Sequence, residues 1–429
     1  MSRWSGRVLL DCGSADSCVN RSLFLWAEIV NGHREREMHI LLIHNHYTQP
    51  GGEDAVFRAE ADLLRSRGHK VVEFVEDNRR LQGVNPLKAA MGAVWSREAY
   101  NRIKRLIRQT RPDVAHFHNT FLRISPAAYY ACKEEGVPVV QTLHNYRLVC
   151  PGALLMRDGR VCEDCLGRPV PWPGVFHGCW RGSRAQTAVV AGMLTVHRWM
   201  GTWTERVDVY VALTEFARRK LIEGGLAAEK IVVKPNFVHP DPETGAHHGG
   251  FALFVGRLSP EKGIRTLLRT WQTLKDMPLK LVGDGPLMGE VQAQIAREGW
   301  THVEVLGRKP REEVFRLMQE ARVLVFPSVC YENFPIVIAE AFACGLPVIA
   351  SRLGAMVEIV EDGRTGLLFE PGNPEDLAAK VAWAWSHPTE VRAMGQQARL
   401  EYERKYSAEQ NYRRLVEIYR TVIDRAKRR

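Results

Sequence analysis

From residue 38 onward the chain alternates between two hydrophobic patterns. Short unbroken apolar runs rich in Val, Ile, Leu and Phe read as strands buried on both faces. Between them, apolar residues recur three and four positions apart, the pattern of amphipathic helices. A first strand is expected at 39–44, then a loop over 47–54, a helix over 55–67 stopped by Gly68, and a second strand at 69–75. Runs at 114–118, 137–143, 207–212, 251–258, 279–282, 302–306, 323–326 and 347–350 continue the series. Helices are expected over 97–111, 185–203, 264–273, from Pro335 to Cys344, from Pro374 onward and over 408–429. Such alternation predicts an α/β architecture of parallel, doubly wound sheets, with ligands at the carboxyl ends of the strands.

Three segments break the pattern. Residues 1–37 have no clean periodicity, and their apolar patch at 23–30 lacks a small-residue cleavage site. They read as a leader, disordered or a mis-assigned start, rather than a signal peptide. Residues 150–180 are rich in Pro, Gly and Trp and read as an insert. Pro235-Asn236 and the Pro/Gly/His-rich run 239–250 read as a linker. The expected domains are therefore 38–236 and 237–407, followed by a final helix over 408–429.

Composition narrows the partners. A chain of 429 residues holds two sizeable cores, and 45% hydrophobic with 25% charged residues is a globular balance. No apolar run is long enough to span a bilayer. The formal net charge of +10 points to anionic partners, namely nucleoside diphosphates and an acidic membrane surface. No nucleic-acid recognition module is present, so nucleic acid is not an expected partner. Nine cysteines without a secretion signal point to a reducing cytosol.

The densest candidate chemistry lies within 323–351. Glu332 falls in the loop after one strand, and Glu340 in the helix that follows. Eight helical positions separate two carboxylates by roughly 12 Å. A carboxylate pair working on one glycosidic bond needs roughly 5–10 Å. The wider spacing suits two acceptors gripping the ends of one extended ligand, with the amide-rich helix start between them to meet an anion. Arg257 and Lys262 flank a turn into the helix at 264, an arrangement that clamps a diphosphate. Gly51-Gly52 sits at a strand end before a helix, where a backbone can approach a phosphate or simply turn. Gly283-Asp284-Gly285-Pro286 is a tight turn at another strand end. His118 and His144 close two further strands, placed to serve an active site or to be satisfied structural histidines; His116 fits the structural role.

The order strand, Glu332 loop, Glu340 helix and strand resembles the Glu-x7-Glu signature of the family-4 retaining glycosyltransferases. The turn at 257–262 and the Gly-Asp-Gly-Pro turn at 283–286 are similar to further motifs of that family. The resemblance covers about 38–429 and implies a GT-B fold, two Rossmann-like doubly wound domains facing across a cleft. Acceptor groups would then lie in the first domain and donor groups in the second, with helix 408–429 returning to brace the first. It implies that Glu332 and the backbone of Asn333, Phe334 and Pro335 hold the donor's sugar, and that Glu340 holds the ribose. Arg257 and Lys262 would neutralise the diphosphate, with no cofactor required for catalysis. Gly51, Gly52, Gly283, Asp284, Gly285 and Arg308 would surround the nucleotide, and His118 and His144 the sugar and acceptor pocket. Many members carry glycine where this chain has Asn333, so sugar identity is not carried over.

The implied function is retaining transfer from a nucleoside-diphosphate sugar to a hydroxyl acceptor, whether glycan, lipid-linked or small molecule. The implied setting is cell-surface polysaccharide or glycolipid synthesis, cytoplasmic and peripheral at the inner face of the membrane. A basic amphipathic helix at 97–111 is a candidate for that contact, or a solvated helix face. Two other readings fit the same residues: a sugar-nucleotide epimerase or hydrolase of the same fold, and a non-catalytic protein binding nucleotide sugars or nucleic acid. Cys150, Cys162, Cys165 and Cys179 offer the ligands of a structural zinc, with His177 able to replace one thiol; unligated thiols or a redox-labile pair are the alternatives.

Overall fold

The computed structural model describes residues 37–48 and 51–428, so the leader expected over 1–37 lies outside them but for Glu37. The first sheet takes β1 (His39–His46), β2 (Lys70–Asp77), β3 (Val114–Phe117) and β4 (Val139–Thr142). A small antiparallel hairpin, β5 (Met156–Arg157) and β6 (Arg160–Val161), belongs to the insert. The sheet resumes with β7 (Val209–Ala212) and β8 (Ile231–Val233), and its order is β2-β1-β3-β4-β7-β8, parallel throughout. Its helices are α1 (Gly52–Ser66), α2 (Pro86–Val94), α3 (Arg97–Thr110), α4 (Ala127–Glu134), α5 (Trp172–His177), α6 (Arg184–Trp199) and α7 (Glu215–Glu223).

The second sheet is built from β9 (Ala252–Val255), β10 (Leu279–Val282), β11 (Val303–Gly307), β12 (Val323–Phe326), β13 (Val348–Ser351) and β14 (Gly366–Phe369). Its order, β11-β10-β9-β12-β13-β14, is the Rossmann order. Helices α8 (Ile264–Trp271), α9 (Met288–Glu298), α10 (Arg311–Glu320), α11 (Ile336–Ala343), α12 (Ala355–Ile359), α13 (Pro374–Ser386) and α14 (Pro388–Lys405) accompany it. Both sheets reverse direction beside their first strand, between β1 and β3 and between β9 and β12. A crevice opens at the carboxyl ends of strands at such a switch point.

The local reasons are visible in burial. All four residues of β12 are buried, which is why its sequence does not alternate. Helix α11 buries Val337, Ile338, Ala339, Ala341, Phe342 and Ala343, each large side chain contributing about 1.5–3 kcal/mol relative to exposure. Glu340 is the one charged residue on it. Helix α1 begins at Gly52, three residues before the expected start, because the Asp54 carboxylate caps the Gly51 amide at 2.7 Å.

Helix α15 (Ala408–Lys427) leaves the second sheet and packs on α1, β3 and β4 of the first. Two tyrosines anchor it. Tyr412 meets His69 at 2.9 Å, and Tyr419 meets His116 at 2.7 Å. The linker and the returning chain cross side by side, with Val238 donating to the Tyr406 carbonyl at 3.0 Å.

Candidate active site

The loops after β9 and β12 meet at the second switch point. Gly263 fixes their approach: its φ is +71°, and a Cβ there would stand 1.8 Å from the Pro327 carbonyl oxygen. Only glycine permits that contact. The approach sets Lys262 Nζ 2.6 Å from Glu332 Oε1, and the Ser328 hydroxyl donates to the same oxygen at 2.7 Å. Burial works to strip the Lys262 charge, but the Glu332 carboxylate outweighs it and holds the ammonium above its ordinary range. Arg257 lies on the same turn, exposed, with no hydrogen bond or ion pair from its guanidinium among the described residues. The segment between β9 and α8 thus carries one free cation and one paired one.

The turn 283–286 packs against this loop. Gly283 has φ +139°, and a Cβ would reach within 1.9 Å of the Gly256 carbonyl oxygen. Asp284 accepts from the Gly285 amide at 2.7 Å through its carboxylate and from the Leu258 amide at 3.0 Å through its carbonyl. Gly285 likewise lets the turn lie on Leu258. These residues shape the loop that carries Arg257. Arg308 follows β11, the edge strand, and is exposed. Glu340 pairs with Arg311 at 3.2 Å, and Arg311 also donates to the linker carbonyl of His239 at 2.7 Å. Burial raises the Glu340 carboxyl above its ordinary value, against the pull of Arg311.

Asn333 joins the lobes. Its side-chain amide donates to the Leu143 carbonyl at 2.8 Å, and its own carbonyl accepts from the Thr214 hydroxyl at 3.2 Å. Glu358 accepts from the Glu215 and Phe216 amides, both at 2.9 Å. The Glu332 carbonyl accepts from Tyr146 at 3.4 Å. Phe334 is buried edge-on to Tyr406, and Pro335 caps α11. A Cβ at Gly52 would lie 3.5 Å from Ile336, so the amino-terminal ends of α1 and α11 approach each other from opposite lobes. Gly51 has open space around it.

The first switch point is lined by histidines. His118 Nδ1 lies 3.0 Å from His144 Nε2, and its Nε2 lies 3.4 Å from Glu60 Oε1. Glu60 also takes Lys234 at 3.0 Å and stands 3.2 Å from His116. His116 is fully buried between Thr142 and Tyr419, a structural position. Burial lowers His118 to about 3 and holds His144 well below its usual range, so both rings are neutral near pH 7. His118 is buried with both nitrogens facing protein groups, whereas His144 is half-buried. Of the two, His144 is the one with access to the cleft. On β1, His44 and His46 grip Asp54 at 2.7 and 2.6 Å, hydrogen-bonding distances that leave no space for an ion between them.

Several site residues carried no sequence signal. Glu53 accepts from Asn119 at 3.0 Å beside Asp54, and burial pushes its carboxyl up to about 8. Arg147 lies between Phe121 and Trp180, 4.3 and 4.1 Å from the ring centroids, tying the insert to the lobe. Arg311 and Ser328 are set beside their glutamates only by folding. The Pro327-Ser328 strand end was the nearest available hint.

The four insert cysteines gather at one corner, with Cys150 and Cys179 both beside Gly152 and Cys165 beside Gly174. A tetrahedral zinc set places its sulfurs about 4 Å apart. Among the described residues the sets of three or more potential ligands whose ligand atoms lie within 4.8 Å of one another are His44, His46 and Asp54, and Glu60, His116 and His118. Burial pushes the Cys165 thiol up to about 12 and raises Cys162 and Cys179.

Two parallel Rossmann-like sheets, joined by a linker and a returning helix and carrying charged groups at one switch point and histidines at the other, define a protein of the GT-B class. Comparison with known proteins carries this further. The family described as Glycosyltransferase Family 4 matches residues 50–242, and the one described as Glycosyl transferases group 1 matches 250–387. The chain belongs to the group 1, family-4 glycosyltransferases. An uncharacterized glycosyltransferase of Methanocaldococcus jannaschii is 27% identical over 292 residues, 68% of this chain and 78% of that protein. O-antigen chain mannosyltransferase B of Escherichia coli is 31% identical over 168 residues, 36% of this chain and 43%, less than half, of that protein. Anabaena HepE, solved in complex with UDP, shares the fold with a TM-score of 0.63 at 19% identity, covering 90% of this chain and all of that one.

Proposed function

We propose that this chain is a retaining glycosyltransferase that moves a sugar from a nucleoside-diphosphate sugar to a hydroxyl acceptor in cell-surface polysaccharide or glycolipid synthesis. The observation that carries the reading is the meeting of Lys262, Glu332 and Ser328 at the second switch point, beside the unpaired Arg257. In the donor complex the Lys262–Glu332 contact opens. Lys262 and Arg257 take the diphosphate, and Glu332 takes sugar hydroxyls with the amides that follow it. Glu340 takes the ribose.

As the bond from the sugar's anomeric carbon to the β-phosphate oxygen breaks, the acceptor oxygen bonds to that carbon on the same face. The acceptor proton passes to the departing phosphate oxygen, and the nucleoside diphosphate leaves. The two cations stabilise the charge that grows on the phosphate. Neutral His144 hydrogen-bonds a hydroxyl without adding a competing positive charge. The HepE complex with UDP and the O-antigen mannosyltransferase support the donor and product classes.

The test is incubation with UDP-, GDP- and ADP-sugars, first for slow hydrolysis and then with hydroxyl acceptors. Proton NMR of the product should give the donor's anomeric configuration. An inverted product, or no turnover of any nucleotide sugar, would overturn the reading.

A further inference from the structure

Much of the charge that the sequence offered on α3 is taken up by ion pairs, with Arg105 left exposed. Arg102 pairs with Glu76 and Glu98, Lys104 with Glu134 and Glu135, and Arg108 with Glu135. A different surface of the first lobe is poor in carboxylates, with the exposed Glu205, paired to Arg206, beside Gly201 at its edge. Helix α6 packs against both α2 and α5. His197 of α6 fastens α2 by its bond to the Val94 carbonyl at 2.8 Å.

All three helices expose large apolar side chains. Trp199 of α6 is 75% exposed, with Val196 and Met200 exposed beside it at helical spacing. Leu87 and Met91, one turn apart on α2, are 69% and 60% exposed. Trp172 and Phe176, one turn apart on α5, are exposed as well. In the second lobe only Val357 and Leu400 are comparably bare among the described residues.

Charge marks this face a second time. Residues 78–97 and 165–204, which contain all three helices, hold eight arginines and lysines and no aspartate or glutamate. At the chain's own frequency, 49 acidic residues in 429, those sixty positions would carry about seven. Arg184 lies over the Phe176 ring at 5.2 Å, and Arg168 over the Trp172 ring at 5.5 Å, so cations and aromatic rings alternate. The nearest carboxylates in the insert are already paired, Asp164 with Arg157 and Glu163 with Lys220.

We infer that the α2–α5–α6 face docks on an anionic lipid bilayer, with Trp172, Phe176 and Trp199 entering the interface and Lys88, Arg168 and Arg184 meeting lipid phosphates. Aromatic side chains favour the headgroup boundary, and each basic residue near an anionic leaflet adds affinity. The same helix serves both sides. The inner face of α6 brings Met193 to the cavity that His118 and His144 line. A lipid-borne acceptor would therefore arrive beside the histidines. Docking itself does not depend on the donor assignment above.

Vesicle flotation of the full chain tests the inference, with phosphatidylcholine alone and with phosphatidylcholine containing phosphatidylglycerol. Binding is expected only to the phosphatidylglycerol vesicles, and it should weaken as salt rises. Trp172→Ser with Phe176→Ser and Trp199→Ser should lose it by about tenfold or more. The exposed pair Lys88→Glu and Arg184→Glu, which leaves every core contact in place, should lose it similarly. Arg105→Gln on α3 should change little. Donor hydrolysis in solution should stay at the wild-type rate in the Lys88→Glu, Arg184→Glu variant, which separates docking from chemistry. Equal binding to both vesicle types, no binding by wild type, or undiminished binding by both variants would overturn the inference. So would a dimer that the aromatic variant splits without affecting vesicle binding, since the face would then belong to a second copy.

Discussion

The two lobes end their sheets at equivalent switch points and fill them with opposite electrostatics. In the second, Lys262 and Glu332 keep full charges in contact, and Arg257 adds a free cation. In the first, His118 and His144 are neutral, and the deeply buried carboxylates are tied up, Asp54 by His44 and His46, Glu60 by Lys234, and Glu76 by Arg102 and Arg123. One topology thus supports a cradle fronted by charges and one fronted by neutral histidines, with its charges paired behind them. Under the proposed function the difference follows from what each would face: a leaving diphosphate gains from fixed cations, whereas a hydroxyl acceptor needs hydrogen bonds of neutral groups. An ionised histidine in the first lobe would pull on the same phosphate and blur the division.

Breaking the charged side should have the largest effect. Glu332→Gln removes the partner of Lys262 and is expected to slow transfer by about 10²–10³-fold. Nucleotide affinity, read by calorimetry, should change only a few-fold, and near-normal turnover would mean the contrast is not catalytic. Gly263→Ala attacks the loop approach instead of the charge. A side chain directed at the Pro327 oxygen at positive φ should cost about 2–4 kcal/mol, read from denaturant midpoints, and full stability would deny the constraint.

On the neutral side, His144→Gln keeps a hydrogen-bonding group and should lower kcat by about tenfold with donor KM held, if the ring only positions a hydroxyl. A steep new pH dependence in that variant would point to proton transfer instead.

Two pH effects are smaller and sharpen the same comparison. His118 is depressed from 6.5 to about 3, so it costs nothing above 6.5, where folded and unfolded rings are both neutral. Stability from this group should be lost as pH falls from about 6.5 toward 3, because the unfolded chain alone takes up the proton. Glu53 is raised from 4.5 to about 8, the opposite case. Below 4.5 both states hold the proton; as pH rises from there toward 8 the unfolded chain alone ionises, and stability falls. Glu53→Gln should flatten melting temperature against pH across that window, and an unchanged slope would place the raised value elsewhere.

Much of the scaffold was legible because buried parallel strands write themselves as continuous apolar runs. The runs at 114–118, 279–282 and 323–326 coincide with strands to within a residue or two. The Glu332–Glu340 spacing was legible because one loop and one helix carry both residues. Ends were less so. The helix expected over 185–203 stops at Trp199, where Gly201 at φ +66° turns the chain into a separate helical turn over Thr202–Arg206. Helix α3 offered a basic stripe, yet Glu76, Glu134 and Glu135 reach it from other elements.

By itself the sequence determined the α/β alternation, the two sheets and the residue types at the strand ends, since each depends on neighbours within a few positions. Only the tertiary structure decided which of those residues meet. Ser328 and Lys262 converge on Glu332, Arg311 reaches Glu340, and Asn333 bonds across to the first lobe, because contacts between distant segments depend on how sheets and loops pack and leave no local pattern in the chain.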